Sequence, residues 1–152
     1  MNIRPAVPED MADLVRMGRA FHAQSSMSRV AEFDETSFAT TLAALLLGDV
    51  AGAVLVAERD GKLTGMTACL LFPMYFNFAC PAAQELFWWV EPEHRTGTGV
   101  ALIDALETAA REAGAKAFLS ASIAGLRDEA IARLYARRGY ALTENTYIKA
   151  LQ

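Results

Sequence analysis

Cysteine is scarce in this sequence, and its two copies among 152 residues exclude more than they offer. Cys69 and Cys80 have neither a metal-ligand nor a redox spacing, so they read as reduced thiols in or near the core rather than a disulfide. An excess of basic residues is also missing: 14 Lys and Arg against 18 Asp and Glu leave a net charge of −4. Nucleic-acid binders normally present a basic face, so no nucleic-acid partner is expected. The richest apolar runs, 42–47 and 69–78, fall far short of the ~20 residues that cross a bilayer, so no membrane partner is expected either. Arg4 and Pro5 come straight after the start, where a secretory leader would place an apolar stretch, and a cytoplasmic location is the default. Low-complexity tracts, internal repeats and linkers are absent. With 53% hydrophobic and 21% charged residues the composition is far from that of a disordered chain, and the length fits a single domain, 1–152.

What is present is an alternation of strand and helix signals. Residues 2–6 read as a short strand stopped by Pro5 and Pro8. Pro8, Glu9 and Asp10 then start a helix, with acidic groups at the positive end of its dipole, and Met11, Leu14, Val15, Gly18, Phe21 and His22 recur at helical steps. After a polar loop, 23–32, Asp34 is set to cap a second helix whose inner face is Phe38, Leu42, Leu45 and Leu46. Strands 53–59 and 62–71 flank Asp60-Gly61, a strong hairpin signal. Phe72, Tyr75, Phe76 and Phe78 cluster around 73–81, read as a loop or splayed strand end, and suggest either an apolar acceptor pocket or the face of a homodimer. Then follow a strand at 85–90, a turn at 91–99, a helix at 100–113 ended by Gly114, a strand at 117–123, a helix at 127–138 and a final strand or strand pair within 139–151. The order β-α-α-β-β-β-α-β-α-β predicts an α/β (α+β) fold of three layers, a mixed central β-sheet flanked by helices.

The most informative stretch is the strand–turn–helix junction Glu91-Pro92-Glu93-His94-Arg95-Thr96-Gly97-Thr98-Gly99. Glycines there let successive N–H groups converge, and the helix N-terminus adds about half a positive charge, so the natural ligand is a phosphate or pyrophosphate. A P-loop would need a lysine after the last glycine, and none follows Gly99. A dinucleotide fingerprint would need a third glycine where Leu102 stands, and an acidic residue about 20 positions on.

The segment Val90-x-Pro92-Glu93-His94-Arg95, followed by Gly97-x-Gly99-x-x-Leu102-Ile103, resembles the acetyl-CoA signature of the GNAT N-acetyltransferases. In that family the pattern is Arg/Gln-x-x-Gly-x-Gly/Ala. The likeness continues to Leu134-Tyr135-x-x-x-Gly139-Tyr140, and the element order extends it over nearly the whole chain. Aligned on Gly99 and Leu102-Ile103, the family's Arg/Gln position falls on His94, with Arg95 one place later. Phe21-His22-x-x-Ser25 and Glu85-Leu86-x-Trp88-Trp89-Val90 further resemble uncharacterised phage-type members.

The resemblance implies an enzyme that moves an acetyl group from acetyl-CoA, as cosubstrate, directly to a primary amine, with no metal. It implies that His94, Arg95, Thr96, Gly97, Thr98, Gly99 and Val100 hold the pyrophosphate, and that backbone groups of Trp88, Trp89 and Val90 line the pantetheine arm. Glu85 takes the place of the general base, and Tyr135 that of the acid protonating the departing sulfur. Each has a plainer alternative: Glu85 merely ends a strand, Tyr135 packs its helix, the indoles form core and pocket wall, and His22 is a packed or surface side chain. A noncatalytic acyl-CoA-binding or interaction module on the same fold is the competing function.

Overall fold

The computed structural model describes residues 1–123 and 128–151. Five strands form one sheet in the order β1-β2-β3-β4-β5: Asn2–Pro5, Gly52–Arg59, Lys62–Met74, Asn77–Val90 and Ala117–Leu119. The first four are antiparallel, and β5 joins β4 in parallel. Helices α1 (Met11–Gln24) and α2 (Glu35–Leu46) cover one face; α3 (Thr98–Glu112) covers the other. Helix α4 (Asp128–Arg137) follows β5.

The strands are apolar at consecutive positions because both faces are covered. Val54 and Val56 pack with Leu14, Met17, Leu42 and Leu45 beneath α1 and α2, while Leu55 and Ala57 pack with Leu102, Ile103 and Leu106 beneath α3. Local signals act as expected. Asp34 Oδ1 accepts from the Ser37 amide at 2.7 Å and starts α2. Asp60 and Gly61 both take positive φ, the twist a two-residue hairpin needs between Arg59 and Lys62.

Two expectations need correction. Residues 73–81 are neither loop nor splayed end: β3 runs to Met74 and β4 starts at Asn77, leaving only Tyr75-Phe76 as the turn. The ladder there is irregular, with Pro73 opposite Pro81, since neither ring has an N–H to donate. The aromatics Tyr75, Phe76 and Phe78 stand out at this hairpin tip, 89%, 71% and 76% exposed. The expected final strand is also missing, as residues 140–151 carry no strand. Strand β5 is only three residues long, so its outer edge offers too short a ladder to template another. The expected helix 127–138 is seen as α4, with Arg127 outside the described residues.

Candidate active site

The site grows from one irregularity in β4. Ala83 belongs to the cluster under α3, and so do Trp88 and Val90, although an unbroken strand would put odd and even residues on opposite faces. The ladder shows where the phase changes: Ala68 pairs with Phe87 and Cys69 with Glu85, leaving Leu86 as an extra residue. This bulge keeps Phe87 and Trp89 under α1 and α2 and lets Glu85, two residues from Ala83, share the α3 face.

The same place is where β4 and β5 part. Their parallel pairing covers Ala82–Gln84 against Ala117–Leu119 and then stops. From Glu85 to Val90, β4 keeps β3 on one side and, among the described residues, has no strand on the other. That half-open edge leads into the turn. The Glu91 amide donates to Thr64 O at 2.9 Å, Glu91 accepts an ion pair from Arg16 of α1, and the single turn Pro92–His94 follows. Gly97 then takes φ +82°, which a side chain rarely tolerates, and α3 begins. A Cβ on Gly99 would come within 2.9 Å of the Trp88 indole, so only glycine lets that ring close on the first turn of α3.

The predicted anion-binding residues are thereby brought together, with different availabilities. Among the described residues, no carbonyl or side chain accepts from the amides of Thr96, Gly97, Thr98, Gly99 or Val100. These donors open α3 at the positive end of its dipole. The Thr98 hydroxyl is committed elsewhere, buried and donating to Met1 Sδ at 3.2 Å. Arg95 is turned inward: its Nε donates to Val90 O at 3.0 Å, and its guanidinium lies 4.9 Å from the Trp89 ring centre. It braces the turn. His94 closes the short turn through its amide, which donates to Glu91 O at 2.9 Å. Trp89 is a core residue, whereas Trp88 is half-buried against α3. His22 stacks on Phe33 at 5.6 Å, the packed alternative.

Across the gap, the two proposed acid–base groups meet through a residue that sequence reasoning missed. Ser120, the first residue past β5, touches both: its Oγ bonds Glu85 Oε2 and lies 2.5 Å from Tyr135 Oη. Tyr135 Oη also donates to Ala121 O at 3.1 Å. Burial pushes the Glu85 carboxyl up to about 7, against the opposing effect of hydrogen bonds from Ser120 and Tyr135. Burial, with the nearby Glu85 charge, raises the Tyr135 phenol well above its ordinary value. Tyr140 steadies Tyr135: the rings are 4.9 Å apart, and Tyr140 Oη donates to Glu107 Oε1 of α3 at 2.6 Å. Arg138 adds an ion pair to Asp104 and a longer one to Glu107, 3.5 Å. A lone serine after a short apolar strand carries no signal, since only the β4–β5 register brings it to Glu85. Among the described residues, no three His, Cys, Asp or Glu side chains group as metal ligands, and no helix is long and apolar enough to cross a membrane. A groove of about 960 Å³ lies elsewhere, lined only by α1 and α2 residues such as Arg16, Arg19 and Glu35.

The profile of the Acetyltransferase (GNAT) family matches residues 17–140. Among solved structures, a ribosomal-protein-alanine N-acetyltransferase from Brucella melitensis biovar Abortus 2308 superposes with TM-score 0.73 at 22% identity, covering 99% of this chain and 100% of its own. An aminoglycoside antibiotic 6'-N-acetyltransferase from Acinetobacter haemolyticus gives 0.71 at 20%, covering 100% and 99%. A predicted acetyltransferase from Clostridium acetobutylicum, solved with acetyl-CoA, gives 0.76 at 16%, covering 97% and 94%. No curated protein sequence matches. The narrower phage-type likeness finds no support in these relatives.

Proposed function

Because the chain belongs to the GNAT acetyltransferase family, we propose that it transfers the acetyl group of acetyl-CoA directly to a primary amine, using Glu85 as base and Tyr135 as acid. One observation carries this reading: the half-open β4 edge, Glu85–Val90, leads through the short turn Pro92–His94 to five amides, Thr96 to Val100, that have no acceptor among the described residues. An extended arm ending in a pyrophosphate fits that sequence of groups, strand edge for the arm and amides for the phosphates. Acetyl-CoA supplies an activated acetyl thioester, so no covalent link to the protein is required.

The chain's own contribution is protonic. An alkylamine holds its proton up to about pH 10.4, so a base must take that proton before the nitrogen can react. Glu85, its carboxyl pushed up to about 7 by burial, is a stronger base than an ordinary glutamate. Tyr135 keeps its proton until a thiolate needs it. Isothermal titration with acetyl-CoA tests the reading, with Gly97→Glu/Gly99→Glu as control. Micromolar binding that the double variant loses is the expected result, followed by turnover with an amine panel. A folded wild-type chain that binds no acetyl-CoA would sink the proposal; binding without turnover would favour the noncatalytic module.

A further inference from the structure

Three contacts run in line from Glu85 to the main chain: Glu85 Oε2 to Ser120 Oγ, Ser120 Oγ to Tyr135 Oη, and Tyr135 Oη to Ala121 O. Each contact needs one hydrogen, the two hydroxyls supply only two, and a carbonyl supplies none. The third hydrogen must sit on the Glu85 carboxyl. With Glu85 neutral, every contact is made, and the donors run Glu85 to Ser120 to Tyr135 to Ala121. With Glu85 ionised, both hydroxyls reverse: Ser120 donates to the carboxylate, Tyr135 donates to Ser120, and Ala121 O loses its partner. The direction of the Tyr135 O–H is therefore set by the charge on Glu85, which acts on it through Ser120 as well as directly across the short gap.

We propose that Ser120 is a positioning and relay residue that joins base and acid into one proton path, Glu85 to Ser120 to Tyr135. The proposal rests on the acetyl-transfer reading above. In the reaction the amine nitrogen gives a proton to the Glu85 carboxylate. The new C–N bond forms as the C–S bond breaks, and the sulfur leaves with the electron pair. Tyr135 gives its hydrogen to that sulfur, receives one from Ser120, and Ser120 receives the proton held by Glu85. Glu85 ends ionised and both hydroxyls end neutral, so one proton has passed from nitrogen to sulfur and the site is reset. A raised phenol suits this role, because Tyr135 is not left as an isolated phenolate. Among the described residues, the other titratable or charged groups facing the path are Cys69 of β3 beside Glu85, Glu107 of α3 near Tyr135, and Tyr140 and Arg138 beyond α4. None of them bonds to Ser120.

The test uses the full chain, with Ser120→Ala and Ser120→Thr, and two readouts. The first needs no substrate: carbon-13 NMR follows the Glu85 carboxyl and the Tyr135 ring carbon bearing oxygen as pH is varied. In the wild type both should shift with one midpoint, near 7. In Ser120→Ala the tyrosine response should shrink to the part that the nearby Glu85 charge causes directly, and the Glu85 midpoint should rise because the carboxylate has lost a donor; Ser120→Thr should restore both. A wild-type Tyr135 that ignores the Glu85 titration, or a Ser120→Ala protein in which its response is undiminished, overturns the proposal. The second readout is turnover: kcat should fall about 10²-fold in Ser120→Ala, with acetyl-CoA affinity unchanged and recovery in Ser120→Thr. A kcat within about twofold of wild type overturns the relay. Failure of the wild type to bind or use acetyl-CoA would instead remove the enzymatic reading and leave the NMR arm to decide the coupling.

Discussion

The chain up to α3 and the chain beyond it are built differently. The first part packs two apolar clusters, one on each face of a four-stranded antiparallel ladder, with Leu14, Met17, Leu42, Leu102, Ile103 and Leu106 fully buried. Beyond α3 come a three-residue strand, one helix and a segment in which Leu142, Tyr147 and Leu151 are 84–91% exposed. None of its described residues enters the core of buried side chains, although Phe118 packs against it. What ties this second part down is largely polar: Arg138 and Tyr140 on Asp104 and Glu107, and Tyr135 on Ser120 and Ala121. The site spans the two. Its proposed anion-binding turn and base stand on the packed body, and its proposed acid stands on the lightly held part. A rigid body can keep a cofactor-sized binding edge in shape, while a small number of directional bonds is enough to aim one phenol.

If the division is right, the largest effect should come from Glu85, on the packed side of the gap. Glu85→Gln should lower kcat about 10²- to 10⁴-fold with acetyl-CoA affinity unchanged in titration. In the wild type kcat/KM should climb as pH rises through about 7, as the carboxyl ionises, and the variant should lack that limb. Stability should move the opposite way. The folded carboxyl titrates near 7 and the unfolded one near 4.5, so between these values the folded state binds more protons. The stabilisation is complete below pH 4.5 and is lost as pH rises through 7. Urea denaturation at pH 5 and 8 should find wild type losing up to about 3 kcal/mol that Glu85→Gln does not lose. Next in size is Leu42→Ala, in the body but far from the gap. Truncating this fully buried side chain should cost about 2–5 kcal/mol in denaturation, yet leave kcat near wild type below the transition. An equal loss of kcat would mean that body and site are not separable in this way.

How much of this was legible beforehand follows the same line. The body was readable because its signals are local or periodic: Asp34 as a cap, Asp60-Gly61 as a hairpin turn, and the apolar spacing of α1, α2 and α3. The glycine turn was readable as a strand-to-helix junction because Gly97 takes a positive φ and the Trp88 indole leaves no room for a Cβ at Gly99. The Leu86 bulge was not, since it is a property of pairing with β3 and leaves no mark on the order Glu85-Leu86-Phe87. Without the bulge, Glu85 could be placed on a strand but not on a face. Ser120 was hidden for a related reason, because its importance comes from where β5 stops against β4. The missing last strand is the converse case: residues 139–151 have an acceptable strand composition, but a three-residue β5 gives them no edge.

The smallest expected effect bears most directly on how the second part is held. Tyr140 lies just past α4, and its hydroxyl reaches back to Glu107 in the middle of α3, while its ring supports that of Tyr135. Tyr140→Phe keeps the ring and removes the bond. Glu107 is half-buried and retains only the 3.5 Å contact with Arg138, so the loss should be about 1 kcal/mol, the usual worth of one such bond. Because the ring that aims Tyr135 remains, kcat should fall less than about tenfold and acetyl-CoA affinity should not change. Denaturation and steady-state rates on the same preparation separate the outcomes. A stability loss as large as that of Leu42→Ala would mean that α4 is part of the cooperative core after all. No loss of either kind would mean that the Arg138 ion pairs and the Tyr135 bonds to Ser120 and Ala121 hold this part without the Tyr140 hydroxyl.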